Sequence, residues 1–176
     1  MDSLITHSPA LIVSLPLLAA FAIPLINRAG PRVRDIFNLV IFGFIAFLVA
    51  ILAVDIYSVG IHVYTFGATA AELALPGGYT VPVRIMFEVD GMSIFMGIII
   101  TTVSLAALIY SLQFLKGRTG QARFYSLMML LYAGMMGLAF TGDMFNLFVF
   151  IELMVIATGG LDAATNAVVG GAAEFA

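Results

Sequence analysis

Residues 124–161, FYSLMMLLYAGMMGLAFTGDMFNLFVFIELMVIATGGL, decide the fold. Charge enters this stretch only at Asp143 and Glu152, and Gly142-Asp143 divides it into two apolar runs, Phe124 to Thr141 and Met144 to about Leu161. Each run approaches the ~20 residues that an α-helix needs to cross a ~30 Å hydrocarbon layer. Two residues between spans leave room only for a tight turn, so these helices are expected to pack antiparallel.

Working outward, three more runs have spanning length. They are Leu4 to Ile26, broken by Thr6, His7, Ser8, Pro9, Pro16 and Pro24; Ile36 to Val54, bracketed by Asp35 and Asp55; and Met92 to Leu115, uncharged until Lys116. The second run places its two bracketing carboxylates ~30 Å apart, one at each face of the layer. The first has no basic residues before its apolar core and no small-residue cleavage site, so it reads as a span rather than a removed leader. Composition agrees: 62% of the 176 residues are hydrophobic and 10% charged, against about 45–50% and about 25% in soluble domains. The absence of cysteine excludes a disulfide or zinc-finger framework, and a net charge of −3 argues against a nucleic-acid partner. No metal-ligand cluster, nucleotide fingerprint or nucleophile triad is present, so neither a cofactor nor a metal is expected.

Between the second and third runs, about residues 60–90, the chain is too polar and too rich in Gly and Pro to span. There Val81, Val83, Ile85, Phe87 and Val89 alternate with Thr80, Pro82, Arg84, Met86 and Glu88, the period of a strand, and Ile61 to Phe66 is its candidate partner. The expected fold class is an all-α polytopic membrane protein of about five transmembrane helices, residues 1–161, with a small extramembrane β-hairpin between helices 2 and 3. Residues 162–176 read as a short tail. Arg28, Arg32 and Arg34, with Lys116, Arg118 and Arg123, gather in two loops on one side, while the hairpin side has only Arg84. Basic loops stay inside. The expectation is a multi-pass protein of the cell membrane, N-terminus outside and C-terminus cytoplasmic.

The residue to explain is Glu152, eight positions into the fifth run and therefore ~12 Å deep, near the midplane. A carboxyl group there costs at least ~2.5 kcal/mol unless it is protonated, paired or hydrated. Its neighbours three and four positions away, Phe148, Val149, Val155 and Ile156, cannot pair with it, so a partner has to come from another helix or chain. Two readings follow: a group that exchanges a proton or cation during transport, or a protonated glutamate that only bonds a neighbouring helix. Asp143 suits a helix N-cap, accepting from Phe145 or Asn146. Asp35 and Asp55 read as solvated boundary charges, His7 as interfacial and Glu174 as a surface charge. Met128, Met129, Met135 and Met136 read as packing, and Gly134, Gly137, Gly159 and Gly160 as places of close helix contact.

Two segments carry a family resemblance. Leu75-Pro76-Gly77-Gly78-Tyr79-Thr80-Val81-Pro82-Val83-Arg84-Ile85-Met86-Phe87-Glu88-Val89-Asp90-Gly91-Met92-Ser93 resembles the GGW…P…I…(V)DGLS entry to the third helix of antiporter-like proteins. Gly142-Asp143-Met144-Phe145-Asn146-Leu147-Phe148-Val149-Phe150-Ile151-Glu152-Leu153-Met154 resembles their fifth-helix motif G(D/N)LFNLYVFFEL. These are the proton-pumping membrane subunits of complex I and the D-type component of Mrp multisubunit Na⁺/H⁺ antiporters, with relatives in archaeal membrane-bound hydrogenases and sulfane sulfur reductases. Tyr79 stands where the family has Trp, and Thr158-Gly159-Gly160 replaces a Ser-Tyr-Ala-like continuation. The resemblance implies that Glu152 lies on an ion-translocation path, with Asp143 and Asn146 as accessory positions of the same motif. It also implies a shortened chain, because the family pairs this glutamate with a lysine on a broken seventh helix and no basic residue follows Arg123. The expected function is a non-catalytic subunit contributing to Na⁺/H⁺ antiport or redox-driven ion translocation. Its expected partners are other membrane subunits, full-length antiporter-like ones included, with the lipid bilayer and H⁺ or Na⁺. The alternative is a non-conducting subunit that braces the complex.

Overall fold

The computed structural model describes residues 2–66, 72–74, 80–82, 85–116, 118 and 120–173, with side-chain environments for those between 4–66, 85–116 and 120–167 and for Arg118. Among the described residues there are five long helices: α1 (Asp2–Ile26), α2 (Pro31–Val59), α3 (Gly91–Phe114), α4 (Gln121–Phe140) and α5 (Met144–Ala173). All five are long and apolar enough to span a membrane. Pro9, Pro16 and Pro24 lie inside α1, which a spanning helix tolerates because neighbours and local adjustments meet the freed backbone groups.

Helix α2 outruns the apolar stretch that announced it. Pro31 occupies its first turn, where a missing N–H costs nothing, so the helix starts before Arg32, Arg34 and Asp35 rather than after them. α5 also continues past Leu161 to Ala173, carrying part of the expected tail into the same helix. That segment is Ala-rich and free of proline, which favours continuing the helix despite Gly170 and Gly171.

Between α2 and α3 lie β1 (His62–Phe66), β2 (Glu72–Ala74), β3 (Thr80–Pro82) and β4 (Ile85–Val89). β1 pairs with β4 antiparallel from His62↔Val89 to Phe66↔Ile85, which is the expected hairpin and its expected partner. The alternation over 80–89 nevertheless serves two ladders, because β3 pairs separately with β2. Val83, Arg84 and the Leu75 to Tyr79 part of the motif lie outside the described residues.

Helix α4 is the centre of the bundle. It packs against α1, α3 and α5, and its Tyr132 ring meets Phe42 of α2 edge-on at 5.0 Å. Tyr132 is fully buried and shares a 2.9 Å hydrogen bond with Thr101 of α3. Met128, Met129 and Met136 are buried in the same core, as packing residues.

Candidate functional site

The turn at 141–143 sets where α5 begins. Gly142 N–H donates to Met86 O of β4 at 3.0 Å, and Thr141 bridges to Phe87. The two motif segments, distant in sequence, therefore meet at this turn. A Cβ on Gly142 would come within 3.0 Å of the Glu88 Cβ, so only glycine fits without a shift. Asp143 then accepts the Phe145 N–H on Oδ1 at 3.0 Å, and its own N–H donates to Thr141 Oγ1 at 3.4 Å. An N-cap carboxylate of this kind satisfies one of the free donors at a helix start.

Three glycine contacts fix the rotation of α5. A Cβ on Gly137 would collide with the Phe150 ring, one on Gly134 would fall 2.7 Å from Met154 Cγ, and one on Gly160 2.9 Å from Leu127 Cδ2. Gly159, expected to share this role, has nothing within 4 Å of its Cβ position. It is turned ~100° from Gly160 on the helix. Asn146, Phe150, Met154 and Ala157 thus lie on the α4 side, at helical spacing.

Glu152 is two positions from both Phe150 and Met154, and two positions are ~200° of rotation. It consequently points away from α4. The carboxylate is exposed on the isolated chain and has no hydrogen bond or ion pair with a described residue. Around it are Phe145, Phe148, Val155 and Ile156, each at least 63% exposed. The motif residues therefore divide between faces. Asn146 turns inward, buried at 7%, with its Nδ2 lacking an acceptor among the described residues; Glu152 turns outward.

Several other titratable groups have partners that their positions in the sequence do not show. Asp35 is not a lone boundary charge: Arg34 Nη2 donates to its Oδ1 at 2.7 Å and Nε at 2.9 Å. The same guanidinium, 3% exposed, also donates to Asn27 Oδ1 and to Gln121 Oε1 and lies 5.0 Å from the Tyr125 ring. Asp55 has His62 3.6 Å away, and His7 Nδ1 sits 3.2 Å from the Tyr64 hydroxyl. Asp90, just before α3, accepts the Ser93 N–H at 2.7 Å, and that bond holds its carboxyl below the usual carboxylate range. The Arg34 network escapes a local reading because Gln121 is 87 positions away. Among the described residues no group of three or more His, Cys, Asp or Glu could hold a metal ion.

The family described as NADH-Ubiquinone oxidoreductase (complex I), chain 5 N-terminus, matches residues 77–125. NADH-quinone oxidoreductase subunit N of Desulforudis audaxviator is 35% identical over 169 residues, covering 89% of this chain and 30% of that protein. The D-type Na(+)/H(+) antiporter subunit of Alkalihalophilus pseudofirmus is 36% identical over 111 residues, 63% of this chain and 22% of that protein. A chain of the membrane-bound sulfane sulfur reductase, an archaeal respiratory membrane complex, superposes with a TM-score of 0.69 at 23% identity, covering 92% of this chain and 33% of that one. The chain spans about a third or less of each relative. Its sequence matches the N-terminal region of the complex I chain 5 and Mrp antiporter D family, its fold matches a chain of the sulfane sulfur reductase membrane complex, and it is a multi-pass membrane protein.

Proposed function

We propose that this chain, similar to the N-terminal region of complex I chain 5 and Mrp antiporter D proteins, serves ion translocation in a multisubunit membrane complex with Glu152 as the intramembrane acidic relay. The observation that carries this reading is the outward aim of Glu152, near mid-span on a face that α4 does not cover. A carboxylate in hydrocarbon needs a proton, a cation or water. Within the described residues nothing supplies the cation, so the reading assigns it to a neighbouring helix or subunit. On this reading the Glu152 carboxyl group is the point at which a proton or cation is held in passage between this chain and its neighbour.

In the assembled complex, Glu152→Gln is expected to lower proton or sodium transport by at least about tenfold, the scale on which losing a positioned acid–base group acts, while Glu152→Asp retains part of it. Unchanged transport with normal assembly of the Gln variant overturns the relay and leaves the bracing role. The excess of Lys and Arg in the α1–α2 and α3–α4 linkers supports an orientation with both linkers inside and the N-terminus outside. Because the chain has no cysteine, single cysteines at Arg32 and Ser58 read that orientation by impermeant labelling from each side.

A further inference from the structure

The glycines of α4 give α5 room to approach, but a glycine makes space and exerts no hold of its own. The side chain at issue is Phe150, whose ring fills the space that a Cβ on Gly137 would occupy. The same ring meets Phe87 of β4, with ring centroids 6.1 Å apart and planes tilted by 32°. Phe87 is 2% exposed. Gly137 and Phe87 therefore bound one ring, the first by leaving space and the second by filling it.

Phe87 is itself held from two directions. Its backbone bridges to Thr141, and the neighbouring Met86 O accepts the Gly142 N–H at 3.0 Å, so β4 is tied to the turn from which α5 starts. Its ring meets Phe66 of β1 edge-on at 5.1 Å, Phe66 meets Tyr64 at 5.0 Å, and Tyr64 meets the His7 ring of α1 at 5.7 Å. Edge-to-face rings at these separations attract. The Tyr64 hydroxyl also lies 3.2 Å from His7 Nδ1. A row of rings thus runs from α1 through the hairpin to α5, and Phe87 is the member that touches α5. Glu152 is two positions beyond Phe150, so whatever fixes the angle of Phe150 fixes the angle of the carboxyl group ~200° further round the helix.

We propose that Phe87 is a positioning residue for Glu152: the β-hairpin keeps Phe150 seated against Gly137 and so holds the rotation at which the carboxyl group faces away from α4. Its bearing on transport rests on the relay role proposed for Glu152, whereas the rotation is measured without it.

The test uses the full 176-residue chain in lipid nanodiscs, where the absence of native cysteine allows one nitroxide at a time. Val149 and Ile151, 45% and 40% exposed, lie ~60° to one side of Glu152 and ~100° to the other. Rotation of α5 uncovers one flank and covers the other, whereas general loosening uncovers both. Phe87→Ala is expected to change the oxygen accessibility of labels at Val149 and Ile151 in opposite directions, with the seated rotation losing about two- to tenfold in population against others, the range one aromatic pair spans. Phe87→Leu keeps an apolar side chain at the buried position. It is expected to retain part of the wild-type pattern, and it carries the test should the Ala variant fail to fold. Unchanged accessibility at both positions overturns the inference, as does a parallel rise at both, which marks a merely structural role. In the assembled complex, opposite changes with transport left at the wild-type level support the positioning and overturn the relay.

Discussion

Helices α4 and α5 are antiparallel neighbours joined by a three-residue turn, and α5 is the more apolar of the two, yet half of the α4 span is buried against 11% of the α5 span. In water the more apolar helix would take the interior. In a membrane lipid tails are as apolar as leucine, so the interior goes to the helix that other helices can approach and bond. Ala133, Gly134 and Gly137 let α4 come close to its neighbours, and Gln121 and Tyr132 tie it to Arg34 and Thr101. α5 brings bulky Phe145, Phe148, Val155 and Ile156 to its outer side, with Glu152 among them. The difference teaches that one face of α5 is finished by this chain and the other is left for something outside it.

The sharpest way to break that contrast is to damage the finished face. Gly137→Ala puts a methyl where the Phe150 ring stands, and overpacking of this kind costs roughly 1–3 kcal/mol. Val155→Ala on the open face is expected to stay within about 0.5 kcal/mol in the isolated chain. Denaturant unfolding in detergent compares the two, and equal losses would mean that the faces are not distinct. A smaller effect belongs to helix α3, whose start is held by its own cap and so gives a baseline independent of either face. The Asp90 carboxyl is held below its ordinary value by the Ser93 N–H. Its contribution is therefore full above the unfolded value near 3.8 and is lost as pH falls through the lowered folded value. Asp90→Ala should remove about 1 kcal/mol at neutral pH and flatten the acid limb of a pH–stability profile; an unchanged acid limb would deny the cap.

Most of the architecture is legible in the sequence because it depends on runs and periods. Hydropathy locates five spans, alternation locates the hairpin, and the two-residue gap at Gly142-Asp143 announces the α4–α5 pair. What escapes depends on contacts made across the fold. Arg34 reads as a loop charge until Gln121 and Asp35 enclose it. Helix ends shift where Pro31 and the alanines after Leu161 sustain a helix beyond the apolar run. At the site, sequence places Glu152 in depth but not in rotation. The rotation follows only once Gly134 and Gly137 are known to receive Met154 and Phe150, since that seam, and not hydropathy, turns the carboxylate outward. Gly159 shows the same limit, because one step along a helix separates a contact from open space.

Everything proposed for Glu152 depends on the outward face of α5 meeting protein rather than lipid. A photo-crosslinking residue placed at Ile156, one turn from Glu152, tests this directly in the native membrane. The expected result is an adduct with another membrane subunit of the complex, formed at a position flanking a lysine or arginine. Adducts with lipid alone would contradict it and leave Glu152 without a partner.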